Sequence, residues 1–103
     1  MNRIEQLKQF LEESPGDNFL VHALALEYIK AGDAQTARAY FEQNLKSNPA
    51  YIPTYYHLGK LMERAGQTEE AIRIYALGME QARTAGDRHA LGELTSVYEE
   101  LLY

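Results

Sequence analysis

The chain has 103 residues and a mass of 11.8 kDa, which is enough for one small domain. Apolar residues make up 46% of it and charged residues 24%, so the chain can bury a core and is not expected to be disordered. A net charge of -5 argues against a nucleic-acid-binding protein and against docking on an anionic membrane surface, because both surfaces attract basic proteins.

The sequence also lacks the features of several other classes. It contains no cysteine, which excludes disulfides, thiol catalysis and thiolate metal sites. No stretch approaches the roughly 20 apolar residues that span a bilayer. Residues 1–13 form an amphipathic pattern with three glutamates and not a secretory signal, so a cytoplasmic location is expected. The start at Met1 favours a whole protein over a fragment.

Break signals divide the chain into segments about one short helix long. They are Pro15-Gly16, Gly32-Asp33, Asn48-Pro49, Gly66-Gln67 and Gly86-Asp87. Within the segments apolar residues recur at three and four, as Val21, Leu24, Ala25 and Tyr28 do in the second. This spacing predicts an apolar stripe on each helix, and strand-like alternation is absent. The sequence therefore predicts six helices and no sheet.

Residues at the helix starts support these boundaries. Either Asp17 or Asn18 can cap the second helix by accepting a bond from its first backbone N–H groups. Pro53 is placed at the first position of the fourth helix, where its missing N–H costs nothing. Thr68 is predicted to cap the fifth helix, with Glu69 and Glu70 at the positive end of its dipole.

The chain resembles itself when it is shifted by 34 residues, with small residues on small ones and aromatics on aromatics. The aligned pairs include Pro15/Pro49, Leu24/Leu58, Ala25/Gly59, Gly32/Gly66, Ala37/Ala71 and Phe41/Tyr75. Similar packing roles at a fixed period predict a helical hairpin that is used more than once.

The pattern resembles the tetratricopeptide repeat (TPR), whose unit reads W-x2-L-G-x2-Y, then A-x3-F, then P. Matching residues of the first unit are Leu24-Ala25, Tyr28, Gly32, Ala37, Phe41 and Pro49, and those of the second are Leu58-Gly59, Gly66, Ala71, Tyr75 and Gly78. The resemblance implies an all-α fold, a TPR-like α-α superhelix of about six antiparallel helices in one domain. Its parts would be a leading helix (1–14), repeat 1 (17–49), repeat 2 (51–85) and a C-terminal capping helix (87–103).

Val21 and Tyr55 stand where the family often has tryptophan and Met62 replaces a tyrosine, changes that a core tolerates as volume. Three further features depart from the family pattern. Asn44 occupies a position usually given to a small apolar residue, which indicates a looser or partly wet contact. Arg83 stands where a closing proline would fall, so the fifth helix is expected to continue to about Ala85. Residues 88–103 leave no room for a second helix and are interpreted as a helix that shields the end of the stack.

A partner-binding groove is the main functional prediction. On the first helix of repeat 1, His22, Leu26 and Ile29 are offset from the packing stripe, and Tyr56, Lys60 and Glu63 hold the matching positions in repeat 2. The resemblance implies that first helices line the concave side, so these six side chains would border one groove. Such a surface suits an apolar anchor of a peptide or helix. Leu26 and Ile29 have an alternative role in packing between the repeats.

One branch of the family grips the C-terminal carboxylate of chaperones with lysine, asparagine and arginine side chains. Here His22 and Leu26 stand where that branch would carry lysine and asparagine, and His57 replaces another asparagine. A carboxylate clamp is therefore not expected.

No residue pattern predicts an enzyme, a cofactor or a metal. His22 and His57 fall at nearly the same height of successive first helices, and His89 and Glu93 are four residues apart, but neither pair forms a metal-binding motif. Phosphate-binding loops and nucleophile motifs are absent from the sequence.

The predicted function is a protein–protein interaction module that binds a segment of a partner protein in the groove. The alternative is a self-assembling structural unit, a homodimer formed through the terminal helices. It rests on Leu101, Leu102 and Tyr103, which leave more apolar surface than a terminus needs.

Overall fold

A computed structural model describes residues 2–103, so Met1, the first residue of the predicted leading helix, lies outside the described residues. This range contains six α-helices and no strand, which confirms the predicted all-α class and the helix number. The helices are α1 (Arg3–Glu13), α2 (Asn18–Lys30), α3 (Ala34–Ser47), α4 (Pro53–Arg64), α5 (Thr68–Ala85) and α6 (Arg88–Leu102). None of them is long and apolar enough to cross a membrane.

The helices are grouped in two compact units. The first unit ends at Asn48 and holds α1, α2 and α3, with α2 packed on both of the others. The second unit begins at Pro49 and holds α4, α5 and α6, with α5 packed on both of the others. The boundary falls at the end of the predicted repeat 1, while the division of the chain into one domain with two repeats stays a prediction.

Aspartates cap three of the helices. Oδ1 of Asp17 accepts a hydrogen bond from the backbone N–H of Leu20 at 3.2 Å, which decides between the two predicted caps of α2. The predicted start of α4 at Pro53 is confirmed. The predicted cap of α5 is wrong, because Thr68 is already the first helical residue and Gln67 precedes it without a side-chain cap. The two glutamates do lie in the first turn of α5.

Glycine ends the helices where the sequence predicts it. Gly32, Gly66 and Gly86 have φ angles of 81°, 76° and 71°, in the left-handed region that other residues rarely enter. The predicted extension of α5 is confirmed, since the helix continues past Arg83 to Ala85.

The core of the first unit contains a polar contact between α2 and α3. Asn44 is fully buried and its Oδ1 accepts a hydrogen bond from Nδ2 of Asn18 at 2.7 Å. The same Nδ2 group lies 2.9 Å from Oγ of Ser47. Asn44 thus has a direct side-chain partner at its buried position, as buried amides generally do, while the looser or partly wet contact expected there stays a prediction.

Two glycines bring the helices of the second unit close together. A Cβ atom added to Gly59 would lie 2.6 Å from Cδ1 and Cζ of the buried Tyr75. One added to Gly78 would lie 2.6 Å from Cβ of Tyr55 and 3.1 Å from Cδ1 of Leu94. Gly59 therefore sets the approach of α4 to α5, and Gly78 lets α5 contact both of its neighbours.

Candidate functional site

The three predicted site residues of the first unit lie on α2 in different environments. His22 is only 7% exposed, and its ring centroid lies 5.6 Å from that of Phe41 on α3. Leu26 and Ile29 are partly exposed. Little of the His22 side chain is left for a partner, whereas the other two residues present part of their surface. Their role in binding stays a prediction.

The three predicted site residues of the second unit are linked by contacts along α4. Nζ of Lys60 lies 5.9 Å from the ring centroid of Tyr56 and 3.6 Å from Oε2 of Glu63. Oε2 of Glu63 also accepts a hydrogen bond from the hydroxyl of Tyr75. The ammonium group of Lys60 therefore contacts both a carboxylate and an aromatic ring, and Glu63 connects it to the core of the unit.

Tyr56 and Lys60 line a cleft between α4 and α6 of about 630 Å³, which we call the wide cleft. Its other lining residues all belong to α6: Arg88, His89, Gly92, Glu93, Ser96, Val97 and Glu100. A Cβ atom added to Gly92 would have no neighbour within 4 Å. Gly92 is thus not required by packing within the chain, and it leaves room in the cleft.

A second cleft, of about 340 Å³, shares Tyr56, His89 and Glu93 with the wide cleft. We call it the apolar cleft, because four of its lining residues are apolar side chains without a polar atom. The complete lining is Ile52, Pro53, Tyr56, His57, Asp87, His89, Ala90, Glu93 and Leu94. The two clefts together give a partner segment both an apolar anchor position and polar neighbours.

Burial shifts the pKa of two groups in the second unit, His57 in the apolar cleft and Tyr75 in the core. Burial lowers the pKa of His57 below its ordinary value of 6.5; the charge of Arg64 lowers it further, and that of Glu93 opposes the shift. The imidazole of His57 is therefore neutral at neutral pH. Burial, together with the hydrogen bond to Glu63, raises the pKa of Tyr75, which keeps its hydroxyl protonated as the donor of that bond.

Metal-binding geometry is not found around the histidines. Within residues 2–103 no group of three or more histidine, cysteine, aspartate or glutamate side chains is arranged to hold a metal ion. Nε2 of His89 lies 3.3 Å from Oε1 of Glu93, an i,i+4 pair on the surface of α6.

Sequence reasoning missed the contribution of α6 to the clefts. It treated this helix as an end cap, so Arg88, Gly92, Ser96 and Glu100 were not named as site residues. Their spacing of four places them on one helix face, which was the available signal. Gly92 also differs from the repeat glycine Gly59, because Gly59 is buried and Gly92 is exposed.

Three comparisons agree on the family. A family model described as the tetratricopeptide repeat matches residues 28–93. A TPR repeat-containing protein of Pseudomonas aeruginosa is 30% identical over 98 residues, which cover 95% of this chain and 93% of the relative. A tetratricopeptide repeat domain protein from Salinibacter ruber, solved by NMR, is 44% identical with a TM-score of 0.82, covering 84% of this chain and 88% of that chain.

The fold likeness extends to structures of low sequence identity. The TPR2B domain of yeast Sti1, solved in a complex with pHsp70, is 11% identical but has a TM-score of 0.87 over 95% of this chain and 78% of that chain. In general, the fold supports a scaffold for protein–protein interaction, and its members are non-enzymatic as a rule. With two helical hairpins in a 34-residue register and matches over most of its length, the chain belongs to the tetratricopeptide repeat family.

Proposed function

We propose that the chain binds a segment of a partner protein in the wide cleft and the apolar cleft of the second unit. The observation that carries the proposal is the opening between α4 and α6, where Tyr56 and Lys60 face a glycine and a serine. Small residues leave space there, and an aromatic ring beside a positive charge gives a partner both contact area and a polar contact. Tyr56 and Lys60 act as contacts and not as catalysts.

The surface properties of α6 support this assignment. Gly92 lowers the stability of a helix interior, by about 1 kcal/mol relative to alanine. No close packing inside the chain offsets this loss of stability, because no atom lies within 4 Å of the missing Cβ position. Room for a partner's atoms explains why a glycine is used at this point of α6.

The test begins with a phage-displayed library of random peptides selected on the wild-type chain. We expect the enriched peptides to bind about tenfold or more weakly to the double variant Tyr56→Ala/Lys60→Ala and to Gly92→Leu. Gly92→Leu fills the cleft and should raise the thermal midpoint, because leucine favours the helix. Binding would then be lost while stability rises, which separates blocking from unfolding.

The matched control is Leu77→Ala/Arg83→Ala, which removes an apolar and a basic side chain from exposed positions of α5. Neither residue lines a cleft, so the peptides should bind this variant as they bind the wild type. Equal losses in both double variants, or full binding to Gly92→Leu, would contradict the proposal.

Self-assembly is a second candidate, favoured by the exposed end of α6. Leu102 is 45% exposed and Tyr103 is 97% exposed. If the chain works as a homodimer through this end, its mass in solution is that of a dimer at all accessible concentrations. Deletion of residues 101–103 would then give a monomer. A monomeric wild-type chain would exclude this function.

A further inference from the structure

The apolar cleft has a one-sided charge. Its lining includes the carboxylates of Asp87 and Glu93 but no lysine or arginine. The wide cleft differs, since Lys60 and Arg88 line it together with Glu93 and Glu100. The negative charge is therefore concentrated where the apolar lining residues are.

The two carboxylates are not equally available. Oδ1 of Asp87 accepts a hydrogen bond from the backbone N–H of Ala90 at 3.0 Å. One oxygen of this carboxylate therefore already caps α6. Glu93 has a half-exposed side chain, and its ion-pair partner is His89, which is positive only when it is protonated. No lysine or arginine among the described residues 2–103 forms an ion pair with Glu93. Glu93 is thus the carboxylate that can accept a positive group from outside.

We propose that the apolar cleft receives a lysine or arginine side chain of the partner segment, with its aliphatic stem on the apolar lining and its charged head at Glu93. Lysine and arginine have this divided character, a stem of methylenes and a cationic end. Ile52, Pro53 and Ala90, which are partly or fully exposed, offer the apolar surface, and Glu93 with Asp87 offers the complementary charge. The inference rests on the proposed function and adds the chemical identity of the anchor.

An acidic anchor fits the cleft poorly. A carboxylate placed there would meet two carboxylates, and burying like charges together is unfavourable. The neutral imidazole of His57 adds no positive charge to offset them at neutral pH. The preference should therefore appear as selection of basic residues and rejection of acidic ones.

The test compares one random peptide library selected in parallel on the wild-type chain and on Glu93→Lys. We expect peptides selected on the wild type to carry a lysine or arginine next to apolar residues. Glu93→Lys should bind these peptides about tenfold more weakly and should itself enrich aspartate or glutamate at that place. Glu93→Gln, which removes the charge without reversing it, should give a smaller loss.

Glu99→Lys is the matched control, because it makes the same charge change at an exposed position of α6 that lines neither cleft. It should bind the wild-type peptides with unchanged affinity. Circular dichroism of all three variants should show the helical content of the wild type.

Two results overturn the inference, and they differ in what they leave standing. If the selected peptides require Tyr56 and an open Gly92 but carry no basic residue, or bind Glu93→Lys as tightly as the wild type, the basic anchor is wrong and the proposed function remains. If no peptide depends on Tyr56, Lys60 or Gly92 for binding, the basic anchor and the proposed function are both wrong.

Discussion

The hairpins α2–α3 and α4–α5 occupy the same repeat positions but are filled in different ways. The first uses Ala25 with Phe41, whereas the second uses Gly59 with Tyr75 at the aligned positions. All four residues are buried. Tyr75 has the larger ring, and its hydroxyl donates a hydrogen bond to Glu63. This ring packs against the smaller residue, Gly59, on the facing helix.

A second pair of aligned positions also combines a larger side chain with a glycine in the second hairpin. Asn44 in the first hairpin aligns with Gly78 in the second, and Val21 aligns with Tyr55. The first hairpin adds a buried amide bonded to Asn18, and the second places the Tyr55 side chain against a glycine. The repeat therefore constrains the combined volume of the side chains that face each other between two helices, and not the size of either side chain alone.

The strongest test of this comparison is Gly59→Ala. The new methyl group would overlap the ring of the buried Tyr75, although alanine is the better helix former. We expect the free energy of unfolding to fall by about 2–3 kcal/mol, in the range of overpacked cores. Urea denaturation monitored by circular dichroism measures it. A loss below about 0.5 kcal/mol would show that the ring moves aside freely.

Asn44→Ala tests the polar filling of the first hairpin. The substitution removes the acceptor for the Asn18 amide and leaves a small cavity at a fully buried site. We expect a loss of about 1–2 kcal/mol in unfolding free energy. Unchanged stability in thermal and urea unfolding would mean that the buried amide pair contributes nothing to the fold.

Tyr75→Phe tests whether the hydroxyl holds the ring in place. Alone, it should cost about 1 kcal/mol, because Glu63 loses the hydrogen bond from Tyr75. Combined with Gly59→Ala it should cost less than the sum of the two changes, since an untethered ring can shift away from the methyl group. A double-mutant cycle measures this coupling. Strict additivity would contradict the tether.

Gly92→Ala is the matched control for Gly59→Ala, since both replace a helical glycine by alanine in the second unit. Nothing surrounds the missing Cβ of Gly92, so helix propensity alone should act. We expect the free energy of unfolding to rise by about 0.5–1 kcal/mol. A decrease would show that Gly92 has a packing role after all.

The smallest expected effect is a pH dependence from His57. Its pKa is lower in the folded chain than the ordinary 6.5, so the unfolded chain takes up its proton first as the pH falls. The stability it contributes is complete above 6.5 and is lost as the pH decreases through the folded-state pKa. His57→Gln should therefore flatten the fall in thermal midpoint below neutral pH. If the thermal midpoint of His57→Gln falls with pH as steeply as that of the wild type, a group other than His57 causes the fall.

The 34-residue period carried most of the fold prediction. Gly32 and Gly66 can adopt the left-handed conformation that ends a helix without steric cost, and the ring of Pro53 fixes its own φ. Such residues therefore mark helix ends without tertiary information. Thr68 was placed wrongly because several neighbouring residues can cap a helix, and only the backbone geometry chooses among them.

The candidate site was less accessible from the sequence. Counting residues is enough to place Tyr56 and Lys60 on a face of α4 away from the packing stripe, where both are partly exposed. Their contact with each other follows from their spacing of four. The partner helix of the clefts could not be identified this way, because α6 departs from the repeat pattern. His22 was offset from the packing stripe in the sequence, but the ring of Phe41 on α3 occupies that side of α2.

The different side-chain packing of the two hairpins also has a consequence for folding. A protein with repeated hairpins risks pairing the first helix of one with the second helix of the other, within a molecule or between two molecules. If α2 took α5 as its partner, the methyl group of Ala25 would meet the ring of Tyr75, which lies against Gly59 in the native pair. If α4 took α3, Tyr55 would meet Asn44 where it now meets Gly78. In both mispairings a larger side chain would therefore stand where the native pair has a glycine, and we expect this mismatch to disfavour domain exchange during folding.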